Sequence, residues 1–159
     1  MLFNSCKKDK PGYGSIRVNL TDAPAPYQQV NVDIKQIEVH VVPTSGSGQW
    51  ITLPTKSGIY DLLTLQNGID TSIVNATQLP AGKITQMRLI LGSNNSVMDN
   101  SVVYPLDIPS GSQTGIKISG SIAVNPNTTI QVLLDFDASQ SVVLQGNGDY
   151  HLKPVIQVL

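Results

Sequence analysis

The chain is expected to fold as an all-β sandwich, and three features of the sequence carry that expectation. Apolar residues recur at every second position, as in Ile16, Val18 and Leu20 or Ile130, Val132, Leu134 and Phe136, which is the spacing that turns one face of a strand to a core. Turn residues, including 13 glycines and 10 prolines, punctuate these runs at the roughly 8–12-residue intervals of sandwiches and barrels. Charged residues make up 13% of the chain and apolar residues 40%, against roughly 25% charged in an average globular protein. That balance suits short strands joined by many turns. The expected architecture is a Greek-key β-sandwich of the immunoglobulin-like or prealbumin-like kind, with about eight to ten mostly antiparallel strands. A single domain over residues 14–159 is long enough to bury a core without metal or disulfide staples.

The first strand opens at residue 14 and closes at Thr21-Asp22-Ala23-Pro24-Ala25-Pro26, where two prolines stop pairing and Asp22 can cap the turn. The next run changes phase: Val30, Val32 and Ile34 share one parity, whereas Ile37, Val39 and Val41 share the other. A β-bulge near Lys35-Gln36 would put both sets on the core side and bend the strand. Gly46-Ser47-Gly48 leads to Trp50-Ile51-Thr52-Leu53, and the apolar stretch 59–65 ends at the turn pair Asn67-Gly68. Residues 71–79 are ambiguous. Ser72, Ile73, Val74, Ala76 and Leu79 allow a short helix near 72–78 closed by Pro80 and Gly82, although Val, Ile and Thr weaken it.

The second half is clearer. Residues 84–91 read as a buried strand, and Val97-Met98 and Val102-Val103 flank Asp99-Asn100, a pair that tolerates the positive φ of a tight hairpin. Ile116, Ile118 and Ile122 lead to the turn Asn125-Pro126-Asn127, and the strand through Phe136 follows. Finally, 142–144 is joined to 150–158 through Gly146-Asn147-Gly148, a further hairpin signal.

Residues 1–13 stand apart from this pattern. Met-Leu-Phe-Asn-Ser-Cys at 1–6 resembles the end of a bacterial lipoprotein signal peptide, with Leu2-Phe3 closing an apolar segment and Ser5 as the small residue before the cysteine. Phe3 stands where that pattern usually carries Leu, and the charged and most of the apolar regions of a signal peptide are missing. The resemblance implies acylation of Cys6, with several acyl chains giving stable anchorage. It places the domain outside the cytoplasm, at the outer membrane or cell surface of a Gram-negative bacterium. Residues 7–13 would be a polar tether of about 25 Å when extended. No apolar run reaches the ~20 residues needed to span a bilayer.

Composition narrows the function classes. The net charge is −1, and the ten basic residues are scattered except for Lys7, Lys8 and Lys10, so the clustered cations of nucleic-acid recognition are missing. One cysteine excludes an intrachain disulfide. Beyond Cys6, His40 and His151 have no company that would complete a zinc site; His40, between Val39 and Val41, should face solvent or a neighbouring loop. Neither a G-x-S-x-G elbow nor a phosphate-loop lysine is present. No catalytic residue is assigned, and no cofactor is expected apart from calcium.

The best constellation is Asp135-Phe136-Asp137. With Phe136 turned inward, both carboxylates share the opposite face about 7 Å apart and call for a nearby cation: Arg88, Lys117, Lys153 or a metal. Asp22, Asp135 and Asp137 are the calcium candidates, with carbonyls to complete the shell. A hydrolytic pair such as a glycosidase uses would instead line an aromatic-rich cleft. For sugar stacking the candidates are Trp50, Tyr60, Tyr104, Tyr13 and Tyr27 beside Asn94 and Asn95, out of only 5% aromatic residues.

Several motifs together suggest a family. V-N-L-T-D-A-P-A at 18–25, V-N-V-D-I at 30–34, I-E-V-H at 37–40 and Y-D-L-L at 60–63 come first. L-P-A-G-K at 79–83, Q-M-R-L-I-L at 86–91, Y-P-L at 104–106, D-F-D-A at 135–138 and L-K-P-V-I at 152–156 follow. In these the chain resembles a domain-of-unknown-function family of bacterial lipoproteins and secreted proteins. The resemblance implies a carbohydrate-binding-like sandwich without an assigned catalytic residue. The leading expectation is therefore a non-catalytic extracytoplasmic module that binds a glycan or a cell-surface protein. An assembly subunit pairing through strand edges is the alternative, and a hydrolase using Asp135 and Asp137 is third.

Overall fold

The structure, a computed structural model, describes residues 12–109 and 113–159; Cys6 and most of the expected tether lie outside them. The strands are β1 (Tyr13–Thr21), β2 (Gln29–Pro43), β3 (Gln49–Leu53), β4 (Gly58–Asp61), β5 (Thr71–Pro80), β6 (Gly82–Leu91) and β7 (Ser96–Asp99) in the first part. They continue as β8 (Val102–Asp107), β9 (Gln113–Ile116), β10 (Ile122–Val124), β11 (Thr129–Phe136), β12 (Val142–Leu144), β13 (Tyr150–Leu152) and β14 (Ile156–Val158). A 3-10 turn at Leu62–Leu65 and a single short helix, α1 (Ala138–Ser141), complete the described elements.

The strands form two sheets. The small one has the order β14-β11-β1-β5; the large one runs β10-β6-β2-β7-β8-β13-β12, with β3 and β4 on β2 and β9 on β6. Pairing is antiparallel except for β1 with β11 and β13 with β8. Between the sheets lies one core. Ile16, Val18, Leu20, Val132, Leu134 and Phe136 come from the small sheet, and Ile37, Val39, Val41, Met87 and Leu89 from the large one. The all-β sandwich expected from alternation is what forms.

The phase change in β2 is a bulge, with register against β6 slipping between Ile34 and Gln36. Val32 and Ile34 before it and Ile37, Val39 and Val41 after it are all buried, which an unbroken period of two would forbid. The bulge marks a level at which the neighbours of β2 also break. On one edge β3 pairs with residues 37–41 and β4 with 31–34. On the other, β6 gives way to β7 across residues 92–95. One fifteen-residue strand thus holds four others.

Two expectations about elements are corrected, and a stretch left without an element is defined. Residues 72–78 are not helical: they belong to β5, which lies antiparallel to β1 with bulges at its register shifts. The β-branched residues and the open edge of β1 outweigh a weak helical pattern. The stretch 59–65 leaves the sheet at Asp61, whose side chain accepts from Leu63 N and starts the 3-10 turn. The final run divides at residues 153–155, so β13 stays in the large sheet and β14 crosses to the small one. Such divisions explain why there are more strands than expected. Tyr13 also belongs to β1, one residue before the expected domain start.

The expected hairpins form. β7 and β8 pair with Asp99 opposite Val102, and the positive φ values fall on Asn100 and Ser101, one position later than the Asp99-Asn100 expected, because Asp99 is still in the ladder. β12 and β13 pair across residues 145–149. Gly82 joins β5 to β6 at φ 152°, and a Cβ there would fall 2.1 Å from the Val42 carbonyl oxygen. Only glycine fits. At the C-terminal end, β14 pairs with β11 on one side and exchanges backbone hydrogen bonds with Lys117 on the other.

Candidate functional site

On the outer face of the large sheet, His40 of β2 lies between Trp50 of β3 and Gln86 of β6, and Glu38 lies between Thr52 and Arg88. Their side chains join across these rows. Arg88 Nε donates to Glu38 Oε1, and Gln36 Nε2 donates to Glu38 Oε2 at 2.9 Å. The Arg88 guanidinium lies 3.9 Å from the centroid of the Trp50 ring, a cation–π contact of about 0.5–1 kcal/mol at an exposed site. The His40 ring meets Trp50 edge-on with centroids 5.3 Å apart, and its Nδ1 is 2.9 Å from Thr85 Oγ1. Trp50, the chain's single tryptophan, is still 38% exposed. Opposite Arg88 on β9 is Gly115, where a Cβ would meet nothing within 4 Å.

The chemistry of this surface follows from its pairing. Glu38 answers the charge of Arg88, so the patch carries planar, polar and aromatic groups without net charge. Such a surface suits a neutral ligand with hydroxyl donors and acceptors better than an anion.

A second polar cluster sits where β6 passes to β7. Asn95 Oδ1 accepts from Asp33 N at 2.8 Å, Asn95 Nδ2 donates to the Gly92 carbonyl at 2.9 Å, and Gly92 N donates to the Asp33 carbonyl at 2.7 Å. The buried Asp33 carboxylate pairs with Lys35 Nζ at 3.1 Å and accepts from Asn94 N. A Cβ on Gly92 would lie 2.2 Å from Asp33 Oδ2. These bonds replace the ladder where the sheet is interrupted. A cavity of about 330 Å³ opens beside them, lined by Leu91, Ser93, Leu106, Asp107 and Ile108 among others.

The aspartates gather at the end of the small sheet. Asp135 and Asp137 flank Phe136 on the face away from the core, as alternation requires. Asp137 caps α1: Oδ1 accepts from Gln140 N and Ser139 Oγ, and Oδ2 from Gln140 Nε2. Burial works against its charge, but these bonds outweigh burial and hold its carboxyl below the ordinary value. Asp22 touches its own turn only weakly, through the Ala23 backbone, and its main partner is distant. Its Oδ1 accepts from Ala138 N at 2.8 Å, a contact 116 residues away in sequence. Burial pushes the Asp22 carboxyl up to about 7; the Ala138 N–H opposes this, while Asp135 and Asp137 add to it. Burial, then Asp137, also raises Asp135.

The expected counter-cations are elsewhere. Arg88 is committed to Glu38 and Trp50. Lys117 is exposed on the far side of β14 from β11, and Lys153 lines a different cavity with Ile108 and Gln113. The expected sugar platform is likewise divided. Trp50 pairs with His40 and Tyr60 with Val32, eight positions apart along β2 and therefore about 25 Å. Tyr104 packs on Tyr150 at 4.9 Å and Tyr27 approaches the same ring at 6.4 Å. Asn94 and Asn95 belong to the sheet break. Tyr13 is exposed near the N-terminal edge of β1. Sequence reasoning missed Arg88, Glu38 and Gln36 as companions of Trp50; the alternation in Q-I-E-V-H and Q-M-R-L-I-L carried the signal.

Comparison with known protein families finds a match over residues 13–154 to the one described as Domain of unknown function (DUF4382). Neither the curated proteins nor the solved structures give a significant match.

Proposed function

The chain belongs to the DUF4382 family of domains of unknown function, and from that premise we propose a non-catalytic module that binds a neutral, hydroxyl-rich ligand of the carbohydrate class. The binding surface is the outer face of the large sheet around Trp50. The observation that carries this reading is the half-exposed Trp50 ring held by Arg88, with Glu38 and Gln36 in adjoining rows. Aromatic rings and planar polar groups on a rigid sheet supply stacking and hydrogen bonds with little ordering cost. The domain is carried outside the cytoplasm on a lipid at Cys6, a reading supported by the lipoprotein-like sequence at 1–6 and the polar stretch that follows.

The rival classes have less support. Assembly through a donated C-terminal strand needs an open edge, and β14 is bonded to β11 and to Lys117. Acid–base chemistry at Asp135 and Asp137 needs two available carboxyls, whereas both oxygens of Asp137 cap α1.

The test is a glycan array with the domain and its Trp50→Ala variant. Retention on neutral glycans that falls at least tenfold in the variant is the expected result. No retention on any glycan would move the proposal to a protein ligand. Metabolic labelling with a fatty acid tests the anchor: a full-length protein that keeps Cys6 and takes up no label ends that part of the reading.

A further inference from the structure

Among the described residues, three buried side-chain oxygens have no hydrogen-bond partner: Asn19 Oδ1, Asp22 Oδ2 and Asp135 Oδ1. They lie in one neighbourhood. Asn19 and Thr21 of β1 stand in register with Leu133 and Asp135 of β11, and Asp22 follows Thr21 directly. The two adjoining cavities on this outer face share Asp70 and Leu133; Asp22 and Asp135 line one and Asn19 the other. Asn19 donates its amide to Asp70 Oδ1 at 2.8 Å, which leaves its carbonyl oxygen as the spare end. Asp22 is only 5% exposed, and its second oxygen is committed to Ala138 N.

All three orphans are acceptors. The charged groups lining or adjoining them are Asp22, Asp70, Asp135 and Asp137. The basic residues of this outer face, Arg17 two positions before Asn19 and Lys117 across β14 from Asp135, are exposed, and among the described residues the ion pairs are elsewhere, at Asp33 and Glu38. A buried acceptor without a donor is costly, and several beside like charges call for a proton or a cation nearby. We propose that this end of the small sheet is a calcium site, with Asn19 Oδ1, Asp22 Oδ2 and Asp135 Oδ1 as ligands and Asn67 and Asp70 beside them in the cavity wall. Asp137 is excluded from the set because α1 uses both its oxygens.

The donor set selects the ion. Among the described residues no three carboxylate, imidazole or thiol groups converge as a metal cage, so a site here depends on neutral oxygens beside two carboxylates. Zinc prefers nitrogen and sulfur; calcium accepts amide oxygens, carboxylates and water in a flexible shell. Few ligand charges place the affinity at the weak end, at a Kd of about 10⁻⁴–10⁻³ M. This site and the Trp50 surface belong to different sheets, so each stands without the other.

The experiment is a calcium titration of the full chain at pH 8, followed by calorimetry and by thermal unfolding. The expected result is saturable heat and a rise in Tm that grows up to about 10 mM calcium, with a clearly smaller response to magnesium. Asp135→Asn and Asn19→Ala should each lower calcium affinity at least tenfold; Asp135→Asn removes a repelled charge and therefore folds. Absence of heat and of a Tm rise in the unmodified chain would overturn the proposal. So would an equal response to calcium and magnesium, or unchanged affinity in both variants.

Discussion

The two outer faces of the sandwich meet solvent in opposite ways. On the large sheet, Arg88, Glu38, Gln36, His40 and Trp50 answer one another in adjacent rows, and Asn95 mends an interruption in the ladder between β6 and β7. On the small sheet, carboxylates collect without an ion pair, and three oxygens stay unanswered among the described residues. A face whose polar groups are paired is already at rest and can offer its surface to a ligand with little rearrangement. A face with unanswered acceptors carries a cost that some other species must relieve.

The largest expected gain in stability probes the unanswered face. The Asp22 carboxyl sits at about 7 in the fold against 3.8 without it, so the folded state prefers the protonated form. In a chelator, its contribution is fully present below about pH 4, is lost as pH rises through 7, and is level above that. Asp22→Asn removes this slope and is expected to stabilise the domain at pH 8, by about 1–2 kcal/mol once solvent screening reduces the roughly 1.4 kcal/mol per pKa unit of an unscreened shift. Urea midpoints across pH read this directly; a variant no more stable than the parent at pH 8 would remove the contrast between the faces. Asp135 acts in the same direction, and Asp137, whose carboxyl is lowered, in the opposite one as pH falls below its ordinary value.

Losses elsewhere sharpen the contrast. Asn95→Ala strips the buried Asp33 N–H of its acceptor and should cost about 1–3 kcal/mol in urea unfolding. Asp137→Ala removes the cap of α1 and should cost about 1 kcal/mol, seen as a lower Tm. Least affected should be Trp50→Ala and Arg88→Ala, each within about 1 kcal/mol in stability while glycan retention falls. A loss several times larger in Trp50→Ala would mean that the ring supports the sheet rather than presenting a surface.

What the chain order made legible was local. Alternation in β1, β6 and β11 and the parity change at Lys35-Gln36 predict strands and a bulge, and both are present. The Asp99-Asn100 region makes the expected hairpin because its positive-φ residues are small and polar. Relations set by sheet order were hidden. Nothing near Asp22 in the sequence announces Ala138, and only the parallel pairing of β1 with β11 brings them together. For the same reason Trp50 was visible as a candidate but Arg88 appeared to belong to Asp135. Register decides which side chains share a row, and a few residues in one β-branched stretch could not reveal that 72–78 would extend beside β1.

The pairing of β1 with β11 also governs how the molecule is made. Ser15 stands opposite Thr129 and Thr21 opposite Asp135, so the strand nearest the start of the chain waits for one formed near its close. Contacts of such sequence separation slow folding, because a long loop must close before they bring any gain. Until then the neighbour available to β1 among the described strands is β5, and its other edge stays open to mispairing. Chaperone protection of a nascent chain would therefore matter most for residues 13–21, and a fragment ending before residue 129 should aggregate where the whole domain stays dispersed.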